Sequence, residues 1–238
     1  MEAEMIQLAD ASNHDFSSLE NRVDLIYCDP PFNTGRNFGA YKDSQGTTTQ
    51  YVDFLAPIIT NLYSTLKNTG SILIHLDWRT SHYVKVAVDK IFGEPQFQRE
   101  IVWCYNSGGA SQKSLSNKHD VILWWSKTQD YTFNPQREPY ATPNVEGREG
   151  FHPDGRLLTD VWNISIISTT GKERVGYPTQ KPLSLLRRCV ELFSNPNDLI
   201  LDPFCGSGTT GVAAKELGRQ YVLLDKNLEA INTTRSRL

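Results

Sequence analysis

Short apolar runs that end in an aspartate recur along the 238-residue chain, separated by segments whose apolar positions fall at helical spacing. Val23-Asp24-Leu25-Ile26-Tyr27-Cys28 is β-branched and aromatic, which predicts a buried strand, and the prolines of Asp29-Pro30-Pro31-Phe32 must end it. Residues 5–9 predict an earlier strand closing at Asp10. Residues 71–76 predict another, closing at Asp77, and residues 199–201 and 221–224 two more, closing at Asp202 and Asp225. Tyr51, Phe54, Leu55, Ile58, Ile59, Leu62 and Leu66 predict a helix over 50–67, with Gly70 as its stop. Further helices are predicted over 83–92 and 210–217, and one on Leu185, Leu186, Cys189, Val190 and Phe193 that Asn195-Pro196-Asn197 breaks. Residues 97–104 and 119–125 read as a strand pair, so the whole is an α/β domain.

Three stretches lack such periodicity. Residues 33–49 are rich in Gly, Asn, Thr and Ser and predict a long mobile loop beside Asp29, either a lid or plain surface. Residues 105–118 carry Lys113 and Lys118, which suit a phosphate clamp or a solvated hairpin loop. Residues 127–176 hold many turn residues and read as an irregular insertion where a substrate-specific region would sit. Arg137, Arg148, Arg156, Lys172 and Arg174 are its candidate phosphate or base contacts. His75, alone in a strand, is more often structural than a ligand at such a position and is left unassigned.

Composition narrows the class. Hydrophobic residues at 39% and charged residues at 21% suit one globular core, and no apolar run nears the ~20 residues of a membrane span. Cys28, Cys104, Cys189 and Cys205 are scattered, which argues against a disulfide framework or a metal site and makes the cytoplasm the default. A net charge of −3 excludes coating of nucleic acid by bulk electrostatics, so any DNA contact must be local.

Two of the strand ends carry chemistry. An exocyclic amine on adenine or cytosine delocalises its lone pair into the ring and is a poor nucleophile; acceptors for both N–H groups would localise that pair. Asp29 can supply one acceptor and the carbonyl of Pro30, held by the stiff Pro30-Pro31 unit, the other, while the Phe32 ring can stack on the base. The second is Asp202-Pro203-Phe204-Cys205-Gly206-Ser207-Gly208-Thr209, a strand, a glycine turn and then a helix, which suits close approach of a nucleotide. Asp225 follows Gly206 by nineteen residues, near the offset at which an acid reaches ribose hydroxyls. Gly206, Gly208 and Gly211 satisfy the dinucleotide spacing, but the motif lies too near the chain's end for the paired halves of a dehydrogenase.

Asp29-Pro30-Pro31-Phe32, Tyr177-Pro178-Thr179-Gln180-Lys181-Pro182 and the Asp202 to Thr209 segment, in that order, resemble the β-class S-adenosylmethionine-dependent DNA amino-methyltransferases. The resemblance runs from Asp10 to Asp225. It implies a Rossmann-like methyltransferase fold with a seven-stranded, mostly parallel sheet, circularly permuted so that the catalytic segment precedes the cofactor segment. The expected division is a catalytic half over 1–125, a target-recognition insertion over about 126–176 and a cofactor half over 177–238. Carried over, Asp29, Pro30, Pro31 and Phe32 bind the flipped base. Phe204, Gly206 and Gly208, with Asp202 and Thr209 of the same segment, approach the methionine part of the cofactor. Asp225 holds the ribose, Thr179 and Lys181 lie near the methionine carboxylate, Asp29 borders the cofactor, and Asp10 contacts its adenine.

The implied reaction is direct transfer of a methyl group to the N6 amine of adenine in double-stranded DNA, because Asp at position 29 resembles the adenine enzymes more than the cytosine-N4 enzymes. The resemblance also implies a homodimer and a cognate restriction endonuclease as partners. A cytosine-C5 mechanism would need a Pro-Cys thiolate, and none is present. Cytosine-N4 methylation, methylation of a protein glutamine or of RNA, and an inactive DNA-binding subunit remain as alternatives.

Overall fold

In the computed structural model, residues 4–37, 43–105, 111–142 and 148–238 are described. The strands are β1 (Glu4–Leu8), β2 (Val23–Cys28), β3 (Leu66–Leu76), β4 (Phe97–Cys104), β5 (His119–Ser126), β6 (Arg137–Glu138), β7 (Arg156–Leu157), β8 (Val161–Asn163), β9 (Leu199–Asp202) and β10 (Gln220–Asp225). The helices are α1 (Thr48–Thr65), α2 (Ser81–Phe92), α3 (Leu183–Phe193), α4 (Thr209–Glu216) and α5 (Leu228–Arg237).

One sheet runs in the order β1-β10-β9-β2-β3-β5-β4-β8. Its first five strands are parallel neighbours, β5 is antiparallel to both β3 and β4, and β8 pairs parallel with β4. The sheet thus has eight strands among the described residues, one more than the seven expected. The extra strand is β8, a three-residue piece of the insertion, where Val161, Trp162 and Asn163 register with Val102, Trp103 and Cys104. Such a short strand leaves no periodic signature in sequence. The rest of the insertion is irregular apart from the small β6/β7 pair.

Alternation along the strands builds two cores. Ile26 and Cys28 of β2 face a cluster with Leu55, Ile58, Ile59 and Leu62 of α1 and Val84, Val88 and Phe92 of α2. Leu25 and Tyr27 face the opposite cluster, with Leu186, Val190 and Phe193 of α3, Ala213 and Ala214 of α4 and Ile231 of α5. Covered on both faces, β2 reads as a nearly continuous apolar run.

The α1 boundary departs from expectation. Leu66 continues the helical spacing, yet it is extended at φ −66, ψ 137 and opens β3 opposite Val23. Gly70 lies inside β3 and does not stop the helix. A Cβ there would come 2.9 Å from the Val23 carbonyl, so the strands approach more closely than a side chain allows.

Candidate active site

Because β1, β2, β3, β9 and β10 are parallel, their acidic ends gather at one edge, where ligands bind in open α/β sheets. Asp10, Asp29, Asp77, Asp202 and Asp225 all line one cleft of about 750 Å³. Asp120, at the start of antiparallel β5, joins them from the other direction.

Asp29 follows the buried β2 and is itself largely buried. Its Oδ2 accepts from Lys181 Nζ at 2.5 Å, whereas its Oδ1 is buried without a hydrogen-bond partner among the described residues. Lys181 Nζ also lies 4.8 Å from the centroid of the Phe32 ring. The structure therefore places Lys181 beside Asp29 and Phe32, in the cleft that Thr179 also lines.

Beneath this pair, His75 is fully buried. Its Nδ1 is 2.7 Å from Tyr27 Oη and 3.8 Å from Asp29 Oδ1, and its Nε2 is 3.6 Å from Asp120 Oδ2, too far for a hydrogen bond. Its ring packs between those of Phe32 and Trp103, at 5.3 and 5.4 Å between centroids. Burial alone would raise the Asp120 carboxyl, but His75, Lys181 and the Tyr105 hydroxyl outweigh it and hold the group below its ordinary range. Asp120, Trp103 and Tyr105 carry no motif, and only the pairing of β5 with β3 and β4 brings them here.

The loop after Phe32 is pinned at its base. Asp43, buried at 2% exposure, accepts from the backbone N–H groups of Asn33 and Thr34 and from the Thr34 hydroxyl, while Gly35 N donates to the Asp43 carbonyl and Asp43 N to the Arg36 carbonyl. Residues 38–42 of that expected loop lie outside the described residues, as do 106–110 of the lysine loop and 143–147 of the insertion.

In the turn after β9, Gly206 and Gly208 hold φ values of 52° and 75°, in the left-handed region that favours glycine. A Cβ on Gly206 would reach within 3.3 Å of the Tyr177 ring, and one on Gly208 within 2.6 Å of Thr234, so the turn packs against α5. Asp225 Oδ2 accepts from Gly206 N at 2.9 Å and Oδ1 from Asn227 N at 2.8 Å, leaving each oxygen a further lone pair toward the cleft. Burial raises the Asp225 carboxyl, with those two bonds opposing.

Asp202 is held by its own turn and the start of α4. Oδ2 accepts from Thr210 Oγ1 at 2.5 Å and Oδ1 from Phe204 N at 3.0 Å, and burial pushes its carboxyl up to about 7. Thr209 Oγ1 accepts from Arg237 at 3.0 Å. Asp10 accepts from Ser12 N and Oγ and lies 3.9 Å from Lys226. Those bonds and Lys226 outweigh burial and lower its carboxyl. Thr179 and Phe204 line the same cleft. Of the insertion's arginines, Arg174 borders it, while Arg137 donates to the Gly155 carbonyl and Arg156 pairs with Glu138.

The fold and this edge define an α/β protein whose cleft lies at the carboxyl ends of its parallel strands. Residues 23–236 match the DNA methylase family of N6 and N4 amino-methyltransferases, and the chain belongs to that family. It is 33% identical to the type II methyltransferase M.HpaI of Haemophilus parainfluenzae, over 92% of this chain and 69% of that one. It is 32% identical to the DNA adenine methyltransferase YhdJ of Escherichia coli strain K12, over 91% and 76%. Among solved structures, the M1.HpyAVI-SAM complex aligns with a TM-score of 0.69 and 25% identity over 98% of both chains. The cytosine-N4-specific PvuII DNA methyltransferase shares the fold at a TM-score of 0.73 with 16% identity, over all of this chain and 88% of that one. The protein is an S-adenosylmethionine-dependent DNA amino-methyltransferase. The cleft fits that donor, since its acidic strand ends suit a sulfonium and the Gly206 turn leaves room for close approach. No helix among the described residues is long and apolar enough to cross a membrane.

Proposed function

We propose that this protein methylates the N6 amine of adenine at a specific site in duplex DNA, with the target base rotated out of the helix into the cleft. The observation that carries the reading is the buried Asp29 Oδ1, a carboxylate oxygen just after β2 without a partner among the described residues, in the cleft that Pro30 and Phe32 also line. A buried acceptor left open is costly unless a ligand donor fills it. An amine N–H supplies that donor, and rotation is required because the amine is otherwise paired and stacked.

In this reading Asp29 Oδ1 and the Pro30 carbonyl accept the two amine N–H groups and direct the nitrogen lone pair toward the donor side of the cleft, while Phe32 stacks on the base. S-adenosylmethionine, when bound, supplies an electrophilic methyl group on a sulfonium. Asp225 takes the ribose hydroxyls, Phe204, Gly206, Gly208 and Thr179 border the methionine part, and Asp10 borders the cofactor adenine. Asp202 and Thr209 shape the turn that holds it. The gain comes from positioning. Residues 127–176 serve as the target-recognition insertion, with Arg174 at the cleft's rim.

Adenine is favoured over cytosine by Asp29 itself and by the likeness to YhdJ, whose name specifies adenine. Transfer of a radiolabelled methyl group to unmethylated duplex DNA, followed by nucleoside analysis, tests this. N6-methyldeoxyadenosine is expected from the wild type and none from Asp29→Ala; N4-methyldeoxycytidine would overturn the base. The small insertion favours a homodimer on DNA, which sedimentation with and without duplex checks.

A further inference from the structure

We infer that Lys181 is a positioning residue for the catalytic carboxylate: it holds Asp29 Oδ2 so that Oδ1 alone is offered to the target amine. This deepens the base-flipping reading and rests on it. Lys181 Nζ bonds Oδ2 at 2.5 Å, and the two side chains are only 14% and 16% exposed. The other oxygen is one of three buried side-chain polar atoms without a partner among the described residues. It has no local cap, since the residue two positions on is Pro31, which lacks an N–H. One oxygen clamped and the other open is the arrangement a single-amine acceptor needs.

Other groups near Asp29 do not substitute for the lysine. His75 Nδ1 is 3.8 Å from Oδ1 and already shares a hydrogen bond with Tyr27. Tyr27, Cys28 and Tyr51 are kept neutral by burial, which raises all three. Asp202 from β9 and Asp120 from β5, the latter facing Lys181 and His75, are acids and push the other way. Without Lys181, Asp29 Oδ2 would lose its bonded cation and the carboxylate would be free to turn, so that Oδ1 is no longer held for the amine. Lys181 lies in the segment leading to α3, so the pair also ties the cofactor half to the catalytic strand.

The test is Lys181→Met, with Lys181→Arg and Asp29→Ala beside it, in full-length protein. Donor affinity is measured by calorimetry, and kcat and KM for duplex DNA are followed at saturating donor. For Lys181→Met we expect unchanged donor affinity and a kcat about a hundredfold lower, the cost of a misplaced group. The loss falls on kcat and leaves KM for DNA near the wild-type value. Lys181→Arg, which keeps a cation and guards against an unfolded methionine variant, restores most of kcat. Donor affinity weakened with kcat intact would assign Lys181 to the methionine carboxylate and overturn the inference. So would an arginine variant that loses as much kcat as the methionine variant, or a loss carried by KM for DNA. An Asp29→Ala enzyme as active as wild type would instead bring down the base-site reading beneath it.

Discussion

Five parallel strands end in an aspartate at the same edge, and four of those aspartates behave alike. Asp10, Asp77, Asp202 and Asp225 each accept a bond from the backbone N–H two residues on, at 2.8–3.0 Å, from Ser12, Arg79, Phe204 and Asn227. This is the local turn that short acidic side chains favour. Asp29 is the exception, because its second successor is Pro31 and there is no N–H to accept. One missing proton separates a carboxylate that closes its own turn from one whose Oδ1 has no partner among the described residues. The contrast is sharpest with Asp202 on the neighbouring strand β9, whose Asp-Pro-Phe differs from Asp-Pro-Pro-Phe by one proline.

The largest expected effect comes from removing the open acid. Asp29→Ala should lower kcat by about 10²–10⁴-fold with donor affinity retained, read by single-turnover methyl transfer. The same change at the closed acid should act on stability. The Asp202 carboxyl is raised to about 7 in the fold, chiefly by burial, against an unfolded value of 3.8. Between those values the unfolded chain gives up its proton first, so this group's contribution to stability falls as pH rises from about 4 to 7 and is level above. Asp202→Asn should flatten that slope, worth up to a few kcal/mol, in denaturant titrations across pH. An unchanged slope would mean that Asp202 titrates as an ordinary surface acid.

Much of this edge was legible in the sequence, because apolar runs ending in Asp-Pro state both a strand and its carboxyl end. The glycine turn and its distance to Asp225 were legible for the same reason, and Gly206 N does reach Asp225 Oδ2. What could not be read depends on strand order. His75 sits on a strand next to β2, and Asp120 reaches the cleft only because β5 runs antiparallel, a direction no local pattern encodes. The Leu66 boundary was hidden because an apolar residue at helical spacing serves equally as the first residue of a buried strand. Lys181 was found by motif, yet its partner lies 152 positions away, a contact that needs the folded sheet.

The finest test of the contrast restores the missing proton. Pro31→Ala supplies an N–H two residues beyond Asp29, as the other four acids have, and leaves the carboxylate and Lys181 in place. If the local bond forms, Asp29 Oδ1 gains a partner and the target amine must displace it, a competition worth about 1 kcal/mol, or several-fold in kcat/KM for DNA. Donor affinity should be unchanged. Pro203→Ala is the matched control, because Phe204 already supplies the bond to Asp202 and the new N–H lies one residue on, where none of the four closed acids takes its bond. It should alter stability by less than about 1 kcal/mol and leave kcat/KM alone. Equal losses from the two substitutions would show that proline stiffness, not the absent N–H, keeps Asp29 open.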